Sequence, residues 1–453
     1  MKRTLITLYL CCAATFLNAA ETLKFSGSDA ALVGVYVVEL ASGKELAADN
    51  ADKVFIPASV TKCVTAASAV KLLKSGSTFT TDVVMTGNLS RGILHGDIII
   101  KGSGDPTIDS RHITSAKSFV DEVVEAIASQ AIDSIAGDVM VDISALPEIG
   151  VSPYWLLEDI AWEYGAGLYG FNYRDNSFAM RVNAEKVLSM SPEIPDLDVK
   201  IDLRRGSSGD VMAMRGEDSY CLTLSGEIAS GSDYASRYSM PFPDMVFRNA
   251  VISALQKRGI GCYGEFAEVE NLSTKAILKH TSPTRDEILR PMMFKSINLF
   301  AEGMLRALAQ NESDKTTASA LAIEKDLLKS MGLDMSYMKI SDGSGLAVTN
   351  RISPRFLGSL LTKMAQSSDA ATYVGLFPAV GKEGSVRSLL ADSRLAGKLV
   401  LKSGSMSGVL CYAGYKVDSA GRPTHVVVIM ANNFTCRVAD VRTAAGKWLL
   451  SIF

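Results

Sequence analysis

Three short groups of hydroxyl, amine and amide side chains could together carry out nucleophilic catalysis. The first group, Ser59-Val60-Thr61-Lys62, opens a segment with helical periodicity. Because residues three apart lie on one face of a helix, the Lys62 amine can meet the Ser59 hydroxyl there. A lysine whose pKa is lowered by burial or by a nearby cation can take the proton of a serine nucleophile. A helix-capping serine followed by a surface lysine has the same pattern, so this group alone does not decide the chemistry.

The other two groups contain residues that suit substrate binding. Ser296 and Asn298 are two residues apart, so we expect a turn between helical segments that lets both side chains face one site. Lys402, Ser403 and Gly404 end an apolar strand, where a lysine beside a hydroxyl suits an anionic ligand end. A glycine in a strand often marks the close approach of another backbone, here that of an extended peptide. The alternative for this triplet is a basic residue at a strand end before a bulge.

Periodicity along the chain predicts the elements that must position these groups. Strands are expected at residues 31–40, 398–404, 409–417 and 425–433. Helices are expected at residues 58–74, where the pattern is amphipathic, and at 286–309, 316–331 and 437–450. Between about residues 81 and 280, short alternating strands are separated by Ser, Gly and Asp turns, with one helix near 116–129. The pattern predicts an α/β domain at both chain ends, interrupted by a β-rich insertion.

Composition and charge exclude several classes of function. The chain of 453 residues has 46 Lys and Arg against 49 Asp and Glu, and 47% of its residues are hydrophobic. This apolar fraction is too high for a disordered chain, and the balanced charge argues against nucleic acid as a partner. The four histidines are scattered and the cysteines show no CxxC spacing, so the sequence predicts no metal site and no cofactor.

Residues 1–20 have the layout of a secretory signal. Lys2 and Arg3 precede an apolar stretch from residue 5 to residue 17, and small residues follow at Ala19 and Ala20. We therefore expect an exported, periplasmic protein, with an N-terminal membrane anchor as the alternative. No later apolar run reaches the ~18 residues that a transmembrane segment needs. Peripheral membrane association and the oligomeric state stay open.

In the order SxxK, SxN and K[ST]G, the three groups are the signature set of penicillin-binding proteins and serine β-lactamases. The chain resembles the class C low-molecular-mass penicillin-binding proteins, D-Ala-D-Ala carboxypeptidases and endopeptidases of the penicillin-binding protein 4 type. Ser296 follows Ser59 by 237 positions, and this family fills such a gap with two inserted β-rich modules. Further stretches that resemble the family are residues 102–106, 342–346 with Asn350, and 408–415.

The resemblance implies a fold and a set of boundaries. Residues 21–82 and 283–453 would form a discontinuous α/β domain of the penicillin-binding and serine β-lactamase type, an antiparallel sheet with helices on both faces. Residues 83–282 would form the β-rich insertion, made of two nested modules. Residues 1–20 would be the signal peptide.

The resemblance also implies a mechanism on peptidoglycan stem peptides. Ser59 would attack the peptide bond between two terminal D-alanines, with Lys62 as its base, and form an acyl-enzyme. Ser296 would relay a proton to the leaving amine, while Asn298 would hold the amide of the substrate. The expected ligands are peptidoglycan peptides and β-lactam antibiotics, with penicillin as an inhibitor.

The third group would complete the substrate site. Lys402 and Ser403 would hold the terminal carboxylate of the peptide, along the strand that contains Gly404. The backbone N–H groups of Ser59 and Ser405 would form an oxyanion hole. The family usually has threonine where this chain has Ser403, from which we expect altered affinity rather than lost activity.

A segment of the insertion, residues 155–166, resembles the part of the family that recognises the free amine end of diaminopimelate. The acid and the aromatic residue fall on Asp159 and Tyr164. A family arginine expected after residues 384–385 corresponds to either Arg387 or Arg394. Two alternative functions stay open: a β-lactamase or esterase on the same scaffold, and a non-catalytic protein that binds the cell wall.

Overall fold

A computed structural model describes residues 23–207, 209–264 and 273–453, and the predicted signal segment, residues 1–20, lies outside these described residues. The strands are β1 (Leu32–Glu39), β2 (Glu45–Ala47), β3 (Thr80–Thr86), β4 (Asn88–Ser90), β5 (Ile93–His95), β6 (Ile98–Lys101), β7 (Ser134–Ile135), β8 (Val139–Asp142), β9 (Ser177–Val182), β10 (Val187–Ser191), β11 (Asp198–Gly206), β12 (Val211–Met214), β13 (Cys221–Ala229), β14 (Tyr234–Ser239), β15 (Gly261–Cys262), β16 (Thr274–Thr281), β17 (Met338–Lys339), β18 (Arg351–Ile352), β19 (Leu399–Met406), β20 (Val409–Val417) and β21 (Pro423–Asn432). The α-helices are α1 (Lys62–Leu72), α2 (Phe119–Ala128), α3 (Pro243–Lys257), α4 (Arg285–Lys295), α5 (Asn298–Ala307), α6 (Thr317–Ser330), α7 (Pro354–Ala365), α8 (Ala370–Val374) and α9 (Val438–Ile452). Short 3-10 helices cover Ala58–Thr61, Glu163–Gly165, Arg174–Asn176, Met335–Tyr337 and Gly384–Val386.

The main sheet joins the two ends of the chain. Its strand order is β19-β20-β21-β1-β2, and all neighbouring pairs are antiparallel. Successive side chains of β21 alternate between two cores: Val428 packs with the core that contains α1 and α7, and Ile429 packs with the core that contains α9. Because both faces are covered, β21 is apolar along its whole centre rather than alternating. The predicted antiparallel sheet with helices on both faces is therefore observed.

Helix α1 is more deeply buried than its sequence pattern predicted. The pattern from Ala58 to Lys74 predicted an amphipathic helix, yet every residue from Lys62 to Val70 is buried. The prediction of one exposed face was wrong because α1 lies inside the core, where α4, α5, α6, α7 and α8 contact it on several sides. The first turn, residues 58–61, is a separate 3-10 helix that carries Ser59.

The inserted region is connected to the sheet domain by two paired strands. The chain enters it through β3 and leaves it through β16, and these strands pair antiparallel with Thr80 opposite Thr281. The strands from β3 to β16 form four small sheets, and their buried apolar side chains form one continuous cluster from Val83 to Ile260. The boundaries at residues 82 and 283, and the division into two modules, stay predictions.

Helix α3 was not predicted. The sequence pattern predicts a strand-rich region with a single helix near residues 116–129, but Pro243–Lys257 is also helical. Its buried residues Phe247, Val251 and Leu255 are four positions apart, as one face of a helix requires, and Pro243 occupies the first turn. The pattern was therefore present in the sequence.

Among the described helices, none is both long and apolar enough to cross a membrane.

Candidate active site

Ser59 lies in a tight turn that two glycines allow. Residue 58 has a positive φ of 47°, and the turn leads directly into α1. A side chain on Gly404 would place its Cβ 2.8 Å from the backbone nitrogen of Ser59, so β19 packs its main chain directly on this turn. The close approach expected at Gly404 is therefore found, and the approaching backbone is that of the Ser59 turn rather than that of a bound peptide. On the other side, Gly345 adopts a φ of +86° and packs against Ala58.

Lys62 is fully buried beside Ser59, which rules out the surface-lysine alternative. Its Nζ lies 3.0 Å from Ser59 Oγ, 2.6 Å from Asn298 Oδ1 and 2.7 Å from the Ser344 carbonyl oxygen. The amide and carbonyl oxygens can only accept hydrogen bonds, whereas the Ser59 hydroxyl can also donate. A neutral amine has two N–H donors and one lone pair. If it donates to the two oxygens, its lone pair is left for the Ser59 proton.

The electrostatic surroundings favour this neutral amine. Burial lowers the pKa of Lys62 well below its usual value, and the charge of Lys402 lowers it further. Asp342 and Glu302 act in the opposite direction but do not cancel the effect. The arrangement can therefore supply a base for the Ser59 hydroxyl.

Ser296 and Asn298 lie in the expected turn between two helices. Helix α4 ends at Lys295, Ser296 has a left-handed φ of 62°, and α5 begins at Asn298. The left-handed residue reverses the chain, so both side chains face one site although they are only two positions apart. Asn298 Nδ2 donates to the Tyr164 carbonyl oxygen at 2.7 Å, which directs Oδ1 towards Lys62.

Lys402 lies on the edge strand β19, on the face of the sheet that carries α1. It is fully buried, and its Nζ is 2.9 Å from Ser296 Oγ and 2.5 Å from the Ser403 carbonyl oxygen. Burial lowers the pKa of Lys402 to about 8. The side chain of Ser403 lies on the other face, where its Oγ is 2.6 Å from Ser385 Oγ. The two buried lysines thus contact two different serines.

One cavity of about 450 Å³ joins these groups to the inserted region. Its lining includes the predicted residues Ser59, Ser296, Asn298, Ser405, Asp159 and Tyr164. Lys62 and Lys402 lie directly behind it, in contact with Ser59 and Ser296. The first two groups therefore meet at one cavity, and the third reaches it through the contact of Lys402 with Ser296. Ser403 and Gly404 are not among the residues that line the cavity.

The inserted region contributes the outer wall of this cavity. Tyr164 Oη donates to Asp159 Oδ1 at 3.0 Å, and both side chains border the cavity together with Leu156. Burial raises the pKa of Asp159. Of the two arginine candidates, Arg394 donates to the Leu450 carbonyl oxygen in α9, and Arg387 is exposed beside the 384–386 turn.

Sequence reasoning missed a second layer of residues behind Lys62. The carbonyl of Ser344 accepts a hydrogen bond from Lys62, and Glu302 and Asp342 bind the backbone N–H groups around it. Residues 342–346 resemble the family in sequence, but this role of the Ser344 carbonyl cannot be predicted from them because every residue has a backbone carbonyl. The available signal for Glu302 was an acid four residues after Asn298, between apolar residues of the same helix.

Cys63, next to Lys62 in the sequence, takes no part in the cavity. It is fully buried in the core, and burial raises the pKa of its thiol to about 12. Cys63, Cys221, Cys262, Cys411 and Cys436 are all free.

Comparison with known proteins agrees with this geometry. A sequence model of the D-Ala-D-Ala carboxypeptidase 3 (S13) family matches residues 19–450. The D-alanyl-D-alanine carboxypeptidase DacB of Haemophilus influenzae is 25% identical over 410 residues, which cover 86% of this chain and 83% of that protein. The D-alanyl-D-alanine carboxypeptidase of Actinomadura sp. (strain R39) is 23% identical over 425 residues, which cover 88% of this chain and 78% of that protein.

Solved structures show the same fold. The crystal structure of penicillin-binding protein 4 (dacB) from Haemophilus influenzae matches with a TM-score of 0.78 at 21% identity, covering 93% of this chain and 95% of that chain. A structure of that protein complexed with a novel β-lactam matches with a TM-score of 0.75. The likeness confirms the predicted fold class, and the family match confirms the predicted resemblance.

Proposed function

The chain belongs to the D-Ala-D-Ala carboxypeptidase 3 (S13) family and is a serine-type carboxypeptidase, and we propose that Ser59 is its nucleophile, activated by Lys62. The observation that carries this assignment is the 3.0 Å contact between Ser59 Oγ and a fully buried lysine amine. A serine hydroxyl needs a base to become a nucleophile, and no histidine is among the described residues that line the cavity.

The first step is acylation. Lys62 takes the Ser59 proton as Oγ attacks the carbonyl carbon of the peptide bond between two D-alanines. The backbone N–H groups of Ser59 and Ser405, which both border the cavity, would stabilise the oxyanion that forms. Removing one such donor typically lowers the rate by about 10²–10³-fold.

Lys402 and Ser296 act on the other side of the scissile bond. A protonated Lys402 provides the positive charge that the terminal carboxylate of the substrate needs, with Ser403 on the same strand. Ser296 Oγ, 2.9 Å from Lys402 Nζ, passes a proton to the leaving D-alanine amine. Asn298 holds the substrate amide, and water then hydrolyses the ester on Ser59.

The substrates in this proposal are peptidoglycan stem peptides, cleaved as a carboxypeptidase and as a D,D-endopeptidase. An endopeptidase must accept a chain beyond the scissile bond, and the cavity continues along the inserted region to Asp159 and Tyr164. A carboxylate at that wall suits the free amine end of a diamino acid. Because β-lactams mimic the D-Ala-D-Ala end, they would acylate the same serine. Such substrates place the protein outside the cytoplasm, in the periplasm.

Labelling with a fluorescent penicillin tests the nucleophile. We expect the wild-type protein to retain a covalent label and Ser59→Ala to take up none. Cys63→Ala is the matched control, because it removes the neighbouring nucleophilic atom and should label normally. Label on Ser59→Ala would contradict the assignment, and rapid turnover of the label by the wild type would favour a β-lactamase. A wild-type protein that takes up no label would favour a binding protein.

Digestion of purified cell-wall fragments tests the substrate. We expect mass spectrometry to show loss of terminal D-alanine and separation of cross-linked stem peptides. Asp159→Asn should slow cleavage of peptides with a free diamino-acid amine and leave penicillin labelling unchanged. Equal cleavage of peptides with a free and a blocked amine would contradict the role of Asp159.

A further inference from the structure

Glu302 is a buried carboxylate with no part in the mechanism above. It lies on α5, four residues after Asn298, so the two side chains project from the same face of the helix. Only 7% of Glu302 is exposed. A carboxylate with so little contact with water needs several hydrogen bonds or a cation to stay in a protein interior.

The bonds of Glu302 go to the loop that contacts Lys62. Its Oε2 accepts the N–H of Gly343 at 3.1 Å, and its Oε1 accepts the N–H of Ser344 at 2.8 Å. These two bonds hold consecutive peptide groups of the loop 342–345. The carbonyl of Ser344 belongs to this held segment, and it accepts from Lys62 Nζ at 2.7 Å.

Helix α5 therefore positions both oxygen atoms that accept hydrogen bonds from Lys62, those of Asn298 and of the Ser344 carbonyl. Asn298 accepts from Nζ directly, and Glu302 acts one step away, through the Ser344 carbonyl. If either acceptor moves, the amine can rotate and its lone pair no longer faces Ser59. Asp342 holds the far end of the same loop, through the N–H groups of Gly345 and Ala347.

We propose that Glu302 is a positioning residue for the base, which holds the Ser344 carbonyl so that the lone pair of Lys62 faces Ser59. The proposal rests on the role of Lys62 in the proposed function. Glu302 touches neither substrate nor the reacting atoms.

Charge gives the proposal a signature that a purely structural role would lack. Glu302 raises the pKa of Lys62, as does Asp342, whereas Lys402 on β19 lowers it. Around Glu302 itself lie Asp342, Arg306 on α5 and Glu324 on α6. Burial and the charge of Asp342 raise the pKa of Glu302 itself to about 7, so its negative charge is present mainly above pH 7. The loss caused by removing this carboxylate should therefore be largest above pH 7 and smaller at pH 5, where the wild-type side chain is protonated as well.

Three variants distinguish the positioning role of Glu302 from the effect of its charge and from a general effect of a buried acid. Glu302→Gln keeps the shape but turns an NH₂ group towards one of the two backbone N–H groups, so one bond is lost. Glu302→Asp keeps the charge but is too short to hold both groups. Glu324→Gln is the matched control, because Glu324 is also a fully buried acid of this region but lies beside Ser68 rather than at the loop.

The measurement is the second-order rate constant of acylation by benzylpenicillin between pH 5 and pH 9, with thermal unfolding recorded for each variant. Labelling of the wild type at Ser59 is established first, so failure of the proposed function is seen separately. We expect a fall of about 10–100-fold for both Glu302 variants. The loss in Glu302→Gln should be greater at pH 9 than at pH 5, because wild-type Glu302 loses its charge as pH falls through its pKa of about 7. Glu302→Asp keeps an ionisable group and should keep a pH-dependent rate, and the rate of Glu324→Gln should fall less than about threefold.

Several results would overturn the proposal. One is a Glu302→Gln variant that acylates at the wild-type rate, and another is one whose loss is the same at pH 5 as at pH 9. Equal losses in Glu302→Gln and Glu324→Gln would show a general effect of buried acids. Loss of folding at 25 °C in both Glu302 variants would show that Glu302 holds the fold and not the base.

Discussion

Two buried lysines lie behind the same cavity, in contact with Ser59 and Ser296, and their surroundings differ. Lys62 has three oxygen partners, and two carboxylates, Asp342 and Glu302, raise its pKa against the effect of burial. Lys402 contacts one serine hydroxyl and one carbonyl oxygen, and no carboxylate of the described residues is among the groups that shift its pKa. Burial lowers the pKa of both lysines. The pKa of Lys402 falls to about 8, and that of Lys62 falls well below its usual value although two carboxylates raise it.

The difference in pKa supports different proposed roles for the two lysines. Near neutral pH, a lysine with a pKa of about 8 is mostly protonated, which fits the cationic role proposed for Lys402. Its charge is the second largest cause that lowers the pKa of Lys62. One lysine thus helps to keep the other neutral. Burial, together with the charge of Lys402 on Lys62, thus gives two identical side chains the different pKa values that their proposed roles as base and anion-binding group require.

The largest expected effect comes from Lys62→Arg. A guanidinium does not release its proton at working pH, so this variant has no base for Ser59. We expect the acylation rate constant to fall by about 10³-fold or more. Stopped-flow or mass-spectrometric measurement of penicillin acylation checks this result.

Lys402→Arg is the matched control for that experiment. It keeps a positive charge in the second lysine position, so we expect a loss of only about 10–100-fold, caused by the bulk of the guanidinium in a buried site. Equal losses in the two variants would mean that the two lysines do not have different roles. Acylation of Lys62→Arg within about tenfold of the wild type would reject lysine as the base.

An intermediate effect is expected from pH. The carboxylate of the substrate needs the protonated form of Lys402, and the fraction of this form falls as pH rises through its pKa of about 8. The carboxypeptidase kcat/KM should therefore decline above pH 8, by about tenfold for each further pH unit. Initial rates with a D-Ala-D-Ala peptide between pH 6 and pH 10 measure the decline.

In Lys402→Arg the same decline should disappear, because arginine keeps its charge over this range. A wild-type profile that stays flat to pH 10 would contradict the cationic role of Lys402. An alkaline decline that persists unchanged in Lys402→Arg would assign it to another group.

The smallest effect is expected from Ser403→Thr, which restores the usual family residue next to Lys402. The hydroxyl is kept and only a methyl group is added at a half-buried position, so kcat/KM should change by less than about threefold, mainly through KM. Ser385→Ala is the companion variant, because it removes the hydroxyl that contacts Ser403 at 2.6 Å. A loss of more than about tenfold in Ser403→Thr would show that serine is required here.

The elements around the motifs were largely predictable, whereas packing details were not. Strands β1, β19, β20 and β21 and helices α2, α6 and α9 lie close to their predicted positions, because apolar periodicity reports burial directly. The amphipathic prediction for α1 was wrong, because contacts with the helices α4 to α8 bury every residue from Lys62 to Val70. Helix α3 was not predicted although its buried residues are helically spaced, because it is a single helix within a region of short alternating strands.

The sequence by itself determined the family, the order of the three motifs and the identity of Ser59, Lys62, Ser296, Asn298 and Lys402 as site candidates, because these depend on residue types and local spacing. Only the tertiary structure decided which partners surround each lysine. The Ser344 carbonyl, the Tyr164 carbonyl and the bonds of Glu302 come from segments far apart in the chain. Such contacts depend on backbone groups that every residue possesses, so no residue type announces them, and they exist only once the chain has folded.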